Sequence, residues 1–248
     1  MKVDLTGKRA LVTGGSQGIG KVICEKLAEN GCEVIVNCAH NIDNAKKVAD
    51  GINQNGGKAS YYPCDVSDEA AVKRMFEELK DIDILVNNAR LDPWLRDKTL
   101  SEGEWFSRVM DVNLKGAFLC SLEFFKYACE RKYGRIINIS SVRAYRPAEM
   151  SNIAYGVSKT GMHSLARAFA NNGAEYNVTA NCVCPGMVIT ENIDKRLTPE
   201  MKAREMADIP AKRAAESWEI ADAVLFLIDN AYITGSMINV SGGMYYEA

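Results

Sequence analysis

Short apolar runs alternate with helix-periodic segments along the whole chain, and this alternation limits the fold more than any other feature of the sequence. Strand-like runs lie at 9–12, 33–37, 59–64, 83–87, 135–140, 178–183 and 237–240. Most are unbroken Val/Ile/Leu stretches, the mark of strands covered on both faces. Helical spacing fills 18–30, 41–55, 68–80, 101–131, 151–175 and 217–229. Asp68 reads as a helix cap, and Ser101 with Glu104 three residues on reads as a capping box. Strands separated by helices return in one direction. The pattern therefore predicts an α/β fold: one parallel sheet of about seven strands with helices on both faces. No Pro/Gly/Ser linker and no internal repeat divides the 248 residues, so a single domain over 1–248 is expected.

Composition narrows the class. Hydrophobic residues make up 47% of the chain, enough for one large core. Thirty basic residues face 32 acidic ones, and no block of either sign suggests nucleic acid or a disordered tail. The first seven residues lack the apolar core of a signal peptide, and the longest apolar run, 223–228, is too short to span a bilayer. A cytoplasmic protein with no membrane or nucleic-acid partner is expected. The eight cysteines are scattered, so they read as reduced packing thiols. His40 and His163 are the only histidines, and no Cys/His cluster has metal-ligand spacing, so no metal is expected.

Two local patterns carry chemistry. Behind the first strand stands Thr13-Gly14-Gly15-Ser16-Gln17-Gly18-Ile19-Gly20, followed by the helical positions Ile19, Val22, Ile23 and Leu27. A strand, a Gly-rich turn and a helix start suit a nucleotide pyrophosphate. The glycines allow close backbone approach, and the helix start offers free N–H groups and a positive dipole end. The second pattern is Tyr155-Gly156-Val157-Ser158-Lys159 within a helical stretch. Four apart, Tyr155 and Lys159 share a helix face. A phenol with a pKa of about 10 is a poor acid–base group at neutral pH, and a nearby ammonium favours its phenolate. Upstream, the run 136–139 ends in Ser140-Ser141, whose hydroxyls could hold a substrate oxygen beside the phenol.

The glycine turn, Asn87-Asn88-Ala89, Asp111-Val112-Asn113, Ser141, the Tyr155/Lys159 pair, Pro185-Gly186 and the closing Gly242-Gly243-Met244 occur in that order. Together they resemble the short-chain dehydrogenase/reductase family over essentially the whole chain, closest in look to its 3-oxoacyl-carrier-protein reductase branch. The resemblance implies a doubly wound, Rossmann-type sheet. It also implies hydride transfer between a nicotinamide and a carbonyl or secondary alcohol. In that reading Tyr155 is the acid–base, Lys159 tunes it and holds the nicotinamide ribose, and Ser141 binds the substrate oxygen, with Ser140 as the alternative serine. Asn113 supports a water-linked proton relay. The dinucleotide meets Gly14, Ser16, Gln17, Gly18, Ile19, Gly20, Asn37, Cys38, Asp65, Val66, Asn87, Ala89, Tyr155, Lys159, Pro185, Gly186, Val188 and Thr190. Residues 185–210 form a substrate lid, and the protein is a homotetramer or dimer. Hydroxysteroid, polyol or sugar dehydrogenation is the alternative within the family, and a nucleotide-sensing regulator the alternative outside it.

Departures from the family pattern bear on specificity. Cys38 stands where NAD-preferring relatives carry Asp, and Asn37, His40 and Asn41 leave a small polar pocket there. NADP is the preferred cofactor in this reading, with NAD possible. Arg90 replaces the usual Gly after Asn87-Asn88-Ala89, the one feature in favour of the regulator. Arg90, Arg143 and Arg146 are candidate contacts to an anionic substrate group. Tyr176-Asn177 stands where carrier-protein reductases place a basic residue, which weakens an acyl-carrier partner although Lys132 keeps the other basic position.

Overall fold

The apolar runs become β1 (Arg9–Val12), β2 (Glu33–Cys38), β3 (Lys58–Pro63), β4 (Ile84–Asn87), β5 (Gly134–Ile139), β6 (Val178–Pro185), β7 (Val188–Ile189), β8 (Ala215–Glu216) and β9 (Met237–Val240). The computed structural model describes residues 1–92, 96–146 and 150–245. Between the strands lie α1 (Gly18–Glu29), α2 (Ile42–Gln54), α3 (Glu69–Leu79), α4 (Glu102–Met110), α5 (Gly116–Arg131), α6 (Ile153–Gly173), α7 (Glu191–Asp194), α8 (Pro199–Ala207) and α9 (Ser217–Asp229).

Seven strands form one sheet in the order β3–β2–β1–β4–β5–β6–β9, with every pairing parallel. This is the doubly wound, Rossmann-type architecture. Val12 at the end of β1 stands between Val36 of β2 and Val86 of β4. The chain runs outward from β1 to β3 and then crosses to β4 on the other side. The order therefore reverses between β1 and β4, and a crevice opens outside the carboxyl ends of the strands there.

Alternation along each strand explains the continuous apolar runs. Ala10 and Val12 face the core shared with Ile23 and Leu27 of α1, Val48 of α2 and Val224 of α9. Leu11 faces the opposite core with Met75 and Phe76 of α3, Phe124 of α5 and Ala170 of α6. Period two thus supplies both layers from one run. β3 is the exception: it is an edge strand, and Tyr61 on it is exposed. Both expected caps form. Asp68 accepts the Ala71 N–H, and Ser101 exchanges hydrogen bonds with Glu104.

The helix expected over 101–131 is divided. α4 and α5 are joined by a π-helical turn, Asp111–Lys115. Asn113 in this turn is fully buried: its Oδ1 accepts the Leu91 N–H (2.8 Å), and its Nδ2 donates to Ser158 Oγ (3.2 Å) on α6. The widened turn accompanies this inward-facing amide, a tertiary demand that local periodicity does not carry. The stretch expected over 151–175 likewise resolves into 3-10 turns at Met150–Asn152 and Ala174–Tyr176 around α6.

Within 185–210 the chain forms β7, α7 and α8. Thr198 caps α8, Thr190 caps α7, and β7 pairs with β8 in a small parallel ribbon outside the main sheet. Phe124 and Ala170 lie in the core, because their helix faces cover the sheet.

Candidate active site

The turn after β1 is built by two chain segments in near contact. Thr13 Oγ1 accepts the N–H groups of Asn88 and Ala89, both at 3.0 Å. In return Asn88 Nδ2 donates to the carbonyls of Thr13 and Gly14, both at 3.0 Å. A Cβ on Gly14, whose φ is 63°, would stand 2.9 Å from Ala89 Cα. One on Gly20 would collide with Asn88 Nδ2 and the Gly14 carbonyl. Glycine is required here by space. The first turn of α1 carries no acidic residue and no side-chain cap. Its N–H groups and dipole end are therefore available to an anion, and the cradle fits a dinucleotide pyrophosphate.

This cradle opens into a cavity of about 1340 Å³ that runs along the carboxyl ends of the strands. Gly14, Ser16, Gln17, Gly18, Ile19 and Gly20 line it. Toward one end lie Asn37, Cys38, Asp65 and Val66, from the ends of β2 and β3. Ala89 and Arg90 follow from the end of β4. Toward the other lie Ser141, Arg143, Tyr155 and Lys159, with Pro185, Gly186, Val188 and Thr190 from the segment after β6. The sheet thus gathers residues from six strand ends at one crevice.

Lys159 is 1% exposed, and its Nζ donates to the Ile139 carbonyl (2.7 Å) at the end of β5. The same nitrogen lies 5.6 Å from the centre of the Tyr155 ring. Burial pushes the Lys159 ammonium down to about 7, and the Arg90 guanidinium adds to the depression. The two serines separate by their partners. Ser140 Oγ donates to the Lys159 carbonyl (3.0 Å) and meets His163 Nε2 (2.9 Å), so it is committed to joining α6 to β5. Ser141 Oγ accepts the Arg143 N–H (3.2 Å), which leaves its own proton to donate into the cavity. Burial, with Arg167 and Lys159 adding to it, lowers His163 to about 4, so the ring is neutral at physiological pH.

Four expected contacts stand elsewhere or are otherwise engaged. Asn87 does not line the cavity: its Nδ2 donates to Ser121 Oγ and Asn138 Oδ1, both at 2.9 Å, and ties β4 to its neighbours. Asn113 lies behind the wall, held as described. Asn37 lines the cavity, but its Nδ2 donates to the carbonyls of Tyr62 (3.1 Å) and Cys64 (3.0 Å), a tie between strand ends. Arg146 lies outside the cavity lining. Conversely, Thr13 and Asn88, which hold the cradle, and Arg108 and Arg196, which line the mouth, were not singled out by the sequence. Asn88 sits inside a quoted motif, but a motif does not tell which of two adjacent amides faces the glycines. Among the described residues no group of three or more His, Cys, Asp or Glu is arranged to hold a metal. No helix among them is long and apolar enough to cross a membrane.

Comparison with known proteins agrees with this geometry. The family model for short chain dehydrogenases matches residues 8–201. The chain is 36% identical over 255 residues to the 3-oxoacyl-acyl-carrier-protein reductase FabG of Aquifex aeolicus (strain VF5), covering 99% of this chain and 100% of that one. A 3-oxoacyl-acyl-carrier-protein reductase of Brucella melitensis, solved with bound NAD, superposes with a TM-score of 0.89 at 26% identity, over 99% of this chain and 94% of that one. An Agrobacterium tumefaciens protein provisionally named a 2-deoxy-D-gluconate 3-dehydrogenase, solved with NADP, superposes with a TM-score of 0.85 at 32% identity, over 97% of both chains. A chain with this cradle, this sheet order and this Ser141, Tyr155 and Lys159 set belongs to the short-chain dehydrogenase family and is a nicotinamide-dependent oxidoreductase acting on the C=O/CH–OH couple.

Proposed function

We propose that the chain is a 3-oxoacyl reductase-like enzyme that prefers NADP, with Tyr155 as its acid–base group. The observation that carries this reading is that Ser141, Tyr155 and Lys159 line the same cavity as the glycine cradle. When bound, the nicotinamide supplies the two-electron hydride chemistry that no side chain here can perform. Ser141 donates its hydroxyl proton to the substrate oxygen and orients the carbonyl. Tyr155 gives its proton to that oxygen in reduction and takes it back in oxidation. Lys159, fixed on the Ile139 carbonyl and poised near neutrality, favours the phenolate when charged and returns a proton to Tyr155. Asn113 acts as a positioning residue for this proton path, since its amide joins the π turn to α6 through Ser158.

The NADP preference rests on the end of β2. Cys38, Ala39, His40 and Asn41 line the cavity there, with no carboxylate among them to oppose a 2′-phosphate. We further propose that one domain carries the whole site, that residues 185–210 close over it as a lid, and that the protein works as a dimer or tetramer. The absence of a basic side chain at Tyr176-Asn177 favours a small acyl thioester over a carrier-bound one. A second reading, oxidation of a sugar or sugar acid, is favoured by the likeness to the Agrobacterium protein.

The test is turnover of a 3-oxobutanoyl N-acetylcysteamine thioester, glucose and gluconate with both cofactors, followed by nicotinamide absorbance. The thioester with NADPH is expected to give the highest kcat/KM. A sugar or aldonate in that place selects the second reading, and no turnover of any of them rejects both. Tyr155→Phe is expected to lower kcat on the best substrate by about 10²–10⁴-fold while NADPH binding stays within a few-fold. A variant that keeps more than about a tenth of wild-type kcat would falsify the acid–base role.

A further inference from the structure

The mouth of the cavity beside Ser141 holds positive charge that proton transfer at Tyr155 does not use. Arg143 lies in the short 3-10 turn Val142–Ala144 after β5 and lines the cavity. Its backbone N–H donates to Ser141 Oγ, and its guanidinium has no ion-pair or hydrogen-bond partner among the described residues. Arg90, where the chain leaves β4, lines the same cavity with its side chain about one-third exposed. Its partner Asp92 is 3.6 Å away and is held more closely, at 3.0 Å, by Arg196 beyond α7. One carboxylate is thus shared by two guanidinium groups.

Acids on the same rim are engaged elsewhere. Asp97 accepts from Thr99, Glu104 accepts the Ser101 N–H, and Asp111 lies 3.9 Å from Lys115. Arg108 adds a further cation to the lining and Asp65 and Glu205 further acids, so the cavity as a whole has no excess of positive charge; what stands ready for an anion is the guanidinium of Arg143, which none of these acids pairs. Arg90 also acts on the catalytic end, since its charge is the second cause, after burial, of the low Lys159 pKa. A planar guanidinium that faces a cavity can bind a carboxylate or phosphate through two parallel N–H donors.

We propose that Arg143 and Arg90 form an anion subsite that selects carbonyl or alcohol substrates bearing a carboxylate or phosphate near the reacting carbon. The proposal rests on the reductase reading only for the position of that carbon. An arriving anion competes with Asp92 for Arg90 and meets Arg143 directly. Two sources share this chemistry: a carboxylate on the substrate itself, or the phosphate of a pantetheine arm.

The test is calorimetric titration of the NADPH-bound protein with 3-hydroxybutanoate, its methyl ester and 4′-phosphopantetheine. At least one anion is expected to bind more than tenfold more tightly than the neutral ester. Tighter 3-hydroxybutanoate assigns the carboxylate source, and tighter 4′-phosphopantetheine assigns the phosphate source. Arg143→Gln should bring the anion-to-ester ratio within about twofold of unity, which removes at least about 1 kcal/mol of preference. Arg143→Lys, which keeps the charge but loses the fork, should retain part of it. Arg90→Gln should reduce it independently. Arg146→Gln, outside the lining, should leave it as in the wild type. The subsite is overturned if no anion is preferred, if no probe binds, or if Arg143→Gln weakens anion and ester equally. The kcat/KM ratio of 3-oxobutanoate to its methyl ester gives the same comparison in turnover. An anion preference in binding with no turnover keeps the subsite and rejects the reductase reading. Turnover with no preference does the reverse.

Discussion

Cys38 is 4% exposed at the carboxyl end of β2, where an acidic side chain would meet ribose hydroxyls. Cys38→Asp is expected to move the NADPH-to-NADH ratio of kcat/KM toward NADH by more than tenfold. The inserted carboxylate accepts from the ribose and repels a 2′-phosphate. A ratio equal to that of the wild type would mean that this side chain does not meet the adenosine ribose. At this scale the sequence was most legible where spacing alone defines a role: Tyr155 and Lys159 share a helix face because they are four apart. It was least legible for amides. Asn37 and Asn87 stand at strand ends that open on the crevice, yet both turn their Nδ2 into ties between strands. An amide has two donors and two lone pairs, so it serves a ligand or a neighbouring strand equally well. Only the tertiary partners decide which.

α6 carries Tyr155, Ser158, Lys159 and His163, and its fixation to β5 sets the site. His163 is the joint, through Ser140 Oγ at 2.9 Å and Cys184 Sγ at 3.5 Å, with the Tyr145 ring 4.9 Å away. The unfolded chain takes up a proton on this ring near its ordinary pKa of 6.5, whereas the folded chain does so only near 4. Between those values the unfolded state binds more protons, so stability falls as pH is lowered through that window. Below about 4 the loss is complete, and above 6.5 it is absent. The contribution is on the order of 3 kcal/mol. Unfolding free energies measured from pH 4 to 7.5 should therefore fall more steeply in the wild type than in His163→Gln, whatever the variant's overall stability. Parallel slopes would rule out a buried neutral ring as the acid-labile joint. The elements themselves were readable from periodicity, and so were the caps Asp68 and Ser101. The π turn at Asp111–Lys115 and the β7–β8 ribbon were not. The first depends on bonds to Leu91 and Ser158, and the second on a pairing across 26 residues or more between strands only two residues long.

Across the whole molecule, several helices leave apolar side chains exposed. Phe106, Phe118, Ile153 and Val157 lie on α4, α5 and α6, and Trp218 and Phe226 lie on α9 with Tyr232 98% exposed beyond it. Burying such surfaces against identical copies is the expected outcome of a closed symmetric assembly. Sedimentation at micromolar concentration should give a dimer or tetramer, and a single monomeric species would end the proposal. All eight thiols are free and seven are buried, and burial raises the pKa of Cys24, Cys32, Cys64, Cys120 and Cys182. Since the thiolate is the reactive form, these sulfurs are nearly inert while the fold stays shut. The low reactivity of these thiols therefore depends on conformation: an opening that wets α1, β2, α5 or β6 also exposes a nucleophile, so chemical ageing at those elements keeps time with unfolding.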